Sequence, residues 1–327
     1  MEVLVHELSV FLLTLHAAAR DVPFESFQHH ALTALKGVLP FDSARWGTAC
    51  SDTRGAEFHA PYLYEESPEM QRDYDELREH DGPARWCLAH LDTVLNVQLA
   101  EHFAERQSAG LLDYVRRYRH IQALIIGHKE DGDGVYQAIS LFGAYRDKPF
   151  TESQRRMLGV LFPHLAQALR TSLAFHAARV RPGGGVGMWT LAICDRAGYF
   201  RFVEPRFRDW LKQEWPTRAH DNMAAEIMRL ATTAKATHWH GRAAMFHIEA
   251  MHDTVFVHAR AAMPVDALSR RELDIARLVA AGQTHKEIAR SLAIAPATVR
   301  NHLQTIHERA GVHNNAELVM QLKLASL

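Results

Sequence analysis

The stretch Ala281-Gly-Gln-Thr-His-Lys-Glu-Ile-Ala289, followed by Pro296-Ala-Thr-Val-Arg-Asn-His-Leu303, decides how the C-terminal end of the chain folds. Thr284-His-Lys-Glu287 is a capping box, in which the Thr hydroxyl and the Glu carboxylate satisfy backbone N–H groups that a helix start leaves open. It opens a short helix with Ile288, Ala289 and Leu292 on its apolar side. Pro296 stands at the first position of the next helix, where its missing N–H costs nothing. Val299, Leu303 and Ile306 form the buried stripe of that helix, and Gly311 ends it. A short helix, a brief turn and a longer helix are the parts of a helix-turn-helix unit.

Two more helices frame this pair. Ser269-Arg-Arg-Glu272 is another capping box, whose helix turns Leu273, Ala276, Val279 and Ala280 inward until Gly282. A last helix over about Asn315–Ala325 turns Leu318, Val319 and Leu322 inward. On the third helix Thr298, Arg300, Asn301, Gln304 and Thr305 lie away from the stripe. Arg, Asn and Gln can bond two atoms of one base edge. Leu268–Val312 holds seven Lys or Arg against four acids, an excess of three positive charges where phosphates would be met.

These segments, with Leu268-Ser-Arg-Arg-Glu-Leu273 and Arg309-Ala-Gly-Val312, resemble the LuxR-type helix-turn-helix over about 60 residues. The resemblance implies a recognition helix over Pro296–Arg309, with Arg300, Asn301 and Gln304 at base-reading positions. It places Thr284, Lys286 and Thr298 near phosphate and makes Glu272 an acid internal to the unit. Three positions depart from the family: Ala295 replaces a Ser cap, His285 an Asn, and Asn315 an Arg. A missing cap costs about 1 kcal/mol and predicts fraying at the start of the recognition helix.

Outward from this unit the chain changes character. Its 327 residues suggest two or three domains, and 47% apolar with 23% charged residues is an ordinary globular balance. Lys plus Arg number 37 against 38 Asp plus Glu, so any basic surface must be local. Cys50, Cys87 and Cys194 form no Cys-x-x-Cys pair, which fits a reducing compartment and argues against a structural zinc site. The apolar start is interrupted by His6 and Glu7 and has no basic lead, so no signal peptide is expected. No run approaches the roughly 18 apolar residues of a membrane span. A cytoplasmic protein without a membrane partner is the expectation.

Residues 1–178 read as an α+β domain with an antiparallel sheet. Helices are expected over the opening segment, Phe24–Leu39 and about Ser67–Glu79. Strands are expected at Ala44–Cys50, Phe58–Tyr64, Gln122–His128 and Tyr136–Tyr145, the last two around the turn Asp131–Gly134. Thr151-Glu-Ser-Gln154 caps a long helix to about residue 177. Residues 179–187 are a Gly-rich linker; they follow a helix and precede a strand, which excludes a phosphate loop. Residues 188–261 read as strand, turn, strand, helix and a three-strand finish, and residues 262–327 as the four-helix reader.

The first domain resembles the GAF-like or autoinducer-binding sensor domains of LuxR relatives, and the middle module resembles a PAS-type fold. A phospho-acceptor receiver is excluded, because the N-terminus lacks its opening acidic pair and its alternating βα units. The sensor resemblance implies an aromatic and acidic set around a small, largely apolar ligand: Trp46, Tyr62, Tyr64, Tyr74, Asp81 and Trp86, with Phe58 on the sheet. The same aromatics are equally well read as core, and Asp81 before Gly82-Pro83 as a turn residue.

Histidine is abundant, at 22 residues. His238, His240, His247, His252 and His258 share neighbouring strands, but nothing in their spacing enforces a third metal ligand, so neither metal nor cofactor is expected. Cys87 reads as a small buried residue or a redox sensor. No Gly-x-Ser-x-Gly, His-Glu-x-x-His or phosphate-loop motif points to an enzyme. The expected function is transcriptional regulation by binding double-stranded DNA; the alternative is a small-molecule or redox sensor acting through protein contacts. In the last helix Ala316, Met320, Leu324 and Leu327 form a second apolar row, which predicts a homodimer. The same row could instead pack on the chain's own sensor domain, and Leu4, Leu8, Leu12 and Leu15 offer a larger dimer face.

Overall fold

Helical spacing of apolar residues begins the fold. In α1 (Glu2–Asp21) Phe11, Leu15, Ala18 and Ala19 are buried, and in α2 (Phe24–Val38) Phe24, Phe27, Ala31, Leu32 and Leu35 are. Leu15 therefore serves its own domain's core rather than a dimer face, and Leu8 and Leu12 are half-buried. The computed structural model describes residues 2–52, 55–129, 136–179, 189–217, 222–233, 236–251 and 253–325. The expected turn Asp131–Gly134, linker residues 180–187, His252 and Leu327 lie outside the described residues, as do the side chains of Leu4 and Cys50.

The chain divides into two compact units, Met1–Arg179 with Tyr199–Phe202 and Val180–Gly198 with Val203–Leu327. In the first, β1 (Ser43–Asp52), β2 (Gly55–Tyr64), β3 (Leu95–Val97), β4 (Gln122–Lys129) and β5 (Tyr136–Gly143) form an antiparallel sheet in the order β2-β1-β5-β4-β3. Gly47 sits at a bulge in β1, where a Cβ would lie 2.8 Å from the Pro61 Cα, so only glycine lets the two strands approach.

Alternation along the strands gives the sheet two apolar faces. Trp46, Leu124, Ile126, Ile139 and Leu141 are fully buried on one, beside α2 and α7 (Glu152–Arg179). Ala49, Phe58, Ala123, Ile125, Ala138 and Phe142 lie on the other. That second face is covered by α3 (Pro68–Leu77), α4 (Gly82–Ala89), α5 (Leu99–Glu105) and α6 (Ala109–Arg117). Helix, sheet and helix layers make an α+β domain with its sheet buried on both sides.

A second antiparallel sheet, ordered β7-β6-β10-β9-β8, is formed by β6 (Thr190–Asp195), β7 (Phe200–Val203), β8 (Ala236–His240), β9 (Ala244–Met251) and β10 (Thr254–Ala261). The turn after β6 is set by Asp195, whose side chain accepts the Ala197 N–H at 2.9 Å, and by Gly198 at φ +93°. Helices α8 (Pro205–Glu214) and α9 (Ala225–Thr233) lie between the strands in sequence. A 3-10 turn at Pro264–Ala267 then leads into α10 (Arg270–Ala280), α11 (His285–Ser291), α12 (Pro296–Ala310) and α13 (Asn315–Ala325).

Candidate functional site

Both capping boxes expected in the reader are formed. The Thr284 hydroxyl donates to Glu287 Oε2 at 2.7 Å and accepts the Glu287 N–H, so α11 starts at a fixed point. Ile288, Ala289, Val299, Leu303 and Ile306 are buried together and set how α11 and α12 pack. Thr284, Lys286, Thr298, Arg300, Asn301 and Gln304 are all exposed. Among the described residues no side chain holds Lys286, Arg300 or Asn301, whereas the Gln304 amide donates to Glu308 at 3.2 Å.

Glu272 ties the reader together. Its carboxylate accepts the Ser269 N–H and hydroxyl and the Arg309 Nη1, each at 2.8 Å. Burial disfavours its charge, but the Ser269 bonds and Arg309 outweigh this and hold the carboxyl below its ordinary range. Arg309 is thereby paired with Glu272, although its own side chain stays half exposed. Helix α12 begins at Pro296 with no side-chain cap from Ala295 and ends at Gly311, φ +64°. His285, Arg300, Leu303, Gln304, His307 and Asn315 line a groove along the outside of α12. Two of the departures, His285 and Asn315, thus sit beside Arg300, and the His307 Nε2 lies 3.0 Å from the Asn315 Oδ1. His307 went unnoticed in the sequence because its position lies one turn beyond the residues expected to read bases.

On α13, Leu318, Leu322 and Ala325 are buried. Ala316 is exposed, as are Met320 at 63% and Leu324 at 41%.

The six residues expected around a ligand do not form one cluster. Trp46 packs on Phe27 of α2, Tyr64 on Phe41, and the Tyr62 hydroxyl lies 2.9 Å from the His29 ring nitrogen, all on the α2 side of the sheet. Tyr74 and Asp81 lie on the opposite side, among the cover of α3 to α6. Trp86 is 37% exposed and stacks on His90. The split follows from strand alternation: Trp46 pairs with Tyr62 and Ala44 with Tyr64, so all three aromatic rings leave the sheet on one face.

The sequence reading missed Arg45, one residue from Trp46 and on the other face. It is buried, its guanidinium lying 4.0 Å from the rings of both Phe58 and Tyr74. The Tyr74 hydroxyl donates to Asp81 Oδ2 at 3.0 Å, while Asp81 Oδ1 accepts the Ala84 N–H at 3.0 Å and caps α4. Burial pushes the Asp81 carboxyl above its ordinary value, against the Ala84 N–H, Arg45 and Tyr74. A charged residue beside Trp46 within a strand was the available signal.

His238 and His247 are cross-strand partners, with the His247 Nδ1 3.0 Å from the His238 Nε2. Among the described residues no group of three or more His, Cys, Asp or Glu is arranged to hold a metal ion. Cys87 is buried, its thiol donating to the Ile125 carbonyl at 3.6 Å. Burial, with Asp81 nearby, pushes that thiol up to about 12, which suits an inert core residue. No helix among the described residues is long and apolar enough to cross a membrane.

Comparison with known proteins centres on the reader. Residues 266–322 match the bacterial regulatory proteins of the luxR family. The spore germination protein GerE of Bacillus subtilis is 36% identical over 55 residues, which are 17% of this chain and 74% of GerE. The chain belongs to the luxR family of bacterial regulatory proteins. The transcriptional regulatory protein UhpA of Escherichia coli K12 is 39% identical over 57 residues, 17% of this chain and 29% of UhpA. The chain spans about 30% of the length of the larger curated regulators it matches. Among solved structures, SdiA in complex with octanoyl-rac-glycerol aligns over 98% of this chain and 94% of its own, with 14% identity and a TM-score of 0.37.

Proposed function

We propose that this chain is a sequence-specific DNA-binding transcriptional regulator, working in the cytoplasm without enzymatic activity and governed by a small, largely apolar ligand in its N-terminal domain. The observation that carries the reading is the division of α12. Val299, Leu303 and Ile306 close the core while Arg300, Asn301 and Gln304 stand exposed on the other side. In this reading α12 enters the major groove, and those three residues read base edges. Lys286 and Thr298 meet phosphates. Thr284 does so through an outer lone pair, since its hydroxyl hydrogen is committed to Glu287.

The N-terminal domain is read as the autoinducer-binding-like, GAF-like sensor and residues 188–261 as a PAS-like relay. Of the aromatic and acidic set, Tyr74 and Asp81 face the α3–α6 cover. Trp46, Tyr62 and Tyr64 line the opposite face, and Trp86 stands at the surface. Two copies pair through Ala316, Met320 and Leu324, matching the two half-sites that such readers address.

Fluorescence anisotropy with fragments selected from a random DNA pool tests the reading. A fragment bound at least about a thousandfold more tightly than scrambled DNA, with affinity falling steeply with salt, is the expected result. Equal, weak binding to every fragment would favour a regulator acting through protein contacts.

A further inference from the structure

Arg45 is the feature of the N-terminal domain that the reading above leaves unexplained. It is 3% exposed, yet among the described residues no carboxylate lies within ion-pair distance of it. Its Nε hydrogen has no acceptor; Nη1 makes a long bond, 3.4 Å, to Gln71, and the guanidinium also interacts with the Tyr74 hydroxyl. The rings of Phe58 and Tyr74 both lie 4.0 Å from the centre of the guanidinium. Asp81 is the neighbouring acid and feels the Arg45 charge, but no hydrogen bond or ion pair joins the two; its oxygens accept from Tyr74 and the Ala84 N–H.

A second unsatisfied group stands beside it. Ser140 is the cross-strand partner of Arg45 on the same face of the sheet, is 1% exposed, and its hydroxyl has no partner. His120 is fully buried and stacked on Phe142 at 3.7 Å; its Nε2 is held by the Glu66 carboxylate at 2.5 Å, while its Nδ1 is unpartnered. Buried polar atoms are normally satisfied, and a buried guanidinium normally has an anion. Here unpaired groups gather on one face, among Met70, Tyr114 and Phe142.

The geometry points to an anion-binding site in which the Arg45 Nε edge and the Ser140 hydroxyl receive the carboxylate of a ligand with an aliphatic or aromatic body. The inference rests on the sensor reading above and narrows it: the ligand is an organic monocarboxylate rather than a neutral molecule. A guanidinium packed against aromatic rings is held for hydrogen bonding through its N–H edge, which is how carboxylates meet it. The apolar side chains around it accept the body and exclude water, which strengthens the charge-assisted bond.

Titration calorimetry on the full chain, with decanoate and 4-phenylbutyrate against their methyl esters, tests the site. Acids bound at least about tenfold more tightly than their esters are expected, as a charge-assisted hydrogen bond implies. Arg45→Met should erase that preference while leaving ester binding in place, Arg45→Lys should keep part of it, and Ser140→Ala should weaken the acids severalfold. Esters matching acids on the wild-type chain would overturn the anion assignment and leave the sensor reading standing; this comparison holds even if the Arg45 variants fail to fold. Binding of acids to a folded Arg45→Met chain without loss would also overturn it. If no acid, no ester and no N-decanoyl-homoserine lactone binds, the sensor reading falls with it.

Discussion

Arg260, wholly buried near the end of β10, grips both carboxylate oxygens of Asp266 at 2.6 and 2.7 Å. The same guanidinium donates to the carbonyl of Ala325, in the last turn of α13, at 3.2 Å. One side chain thus ties the last strand of the middle module to the first turn and the final helix of the reader. Removing one partner of such a pair leaves an uncompensated buried charge, at a cost of about 3–5 kcal/mol. Asp266→Asn should therefore lower the unfolding free energy of the full chain by that order in urea. Replacing both residues with apolar ones should cost less. An unchanged midpoint for Asp266→Asn would contradict the pair's role.

The reader's exposed residues should separate by type of contact. Arg300→Ala is expected to lose about 1–3 kcal/mol of specific affinity and to relax base preference at one position of the site. Lys286→Ala should instead weaken specific and scrambled DNA alike, and lower the salt slope by about one unit. Anisotropy titrations at several salt concentrations give both quantities. If both variants affect all fragments equally, α12 does not read bases through Arg300.

At the start of α12 the absence of a side-chain cap gives a stabilising substitution. Ala295 holds the N-cap backbone conformation, φ −71° and ψ 146°, without an oxygen to offer. Ala295→Ser should raise stability by about 1 kcal/mol, and slow amide exchange in the first turn of α12. No gain in either measurement would mean that the turn is already held by Pro296 and its packing.

His247 gives the protein a pH dependence of definite sign. Burial, with His238 alongside, lowers its imidazole from the ordinary range to about 4. Between roughly pH 6.5 and 4 the unfolded chain binds a proton there that the folded chain does not, so stability falls as the pH is lowered through that window. His238 is lowered in the same sense, chiefly by burial. Urea midpoints of the wild type and His247→Gln at pH 7.5 and 4.5 measure the effect, and the variant should lose less stability between the two. An equal loss would assign the acid sensitivity elsewhere.

What the sequence made legible follows from length and capping. The four reader helices could be read because Ser269, Thr284, Pro296, Gly282 and Gly311 mark their ends chemically. The region from Gly82 to Arg117 was not legible. Helices α5 and α6 have seven and nine residues and no side-chain cap bond, too short for a periodic pattern to stand out. That gap mattered for the site, since those helices cover the face on which Arg45 lies. Alternation sets Trp46 and Arg45 on opposite faces of β1, but the helix that carries Tyr74 to the Arg45 face had to be placed by the fold itself.

The last prediction concerns pairing of two copies. Leu318, Leu322 and Ala325 fasten α13 to the reader's own core, while Met320 and Leu324 remain 63% and 41% exposed. A single exposed helical row buries less than the roughly 1,200 Å² of a stable interface, so α13 alone should support only weak pairing. DNA that presents two half-sites adds the missing contribution by holding both readers at once. Met320→Glu with Leu324→Glu should leave the unfolding midpoint almost unchanged, because neither residue is in the core. The double variant should lose affinity for a two-half-site fragment about tenfold or more while binding an isolated half-site as the wild type does. Sedimentation at micromolar concentration reads the same contact directly. A wild-type chain that stays monomeric both with and without such DNA would show that this row serves something other than a second copy.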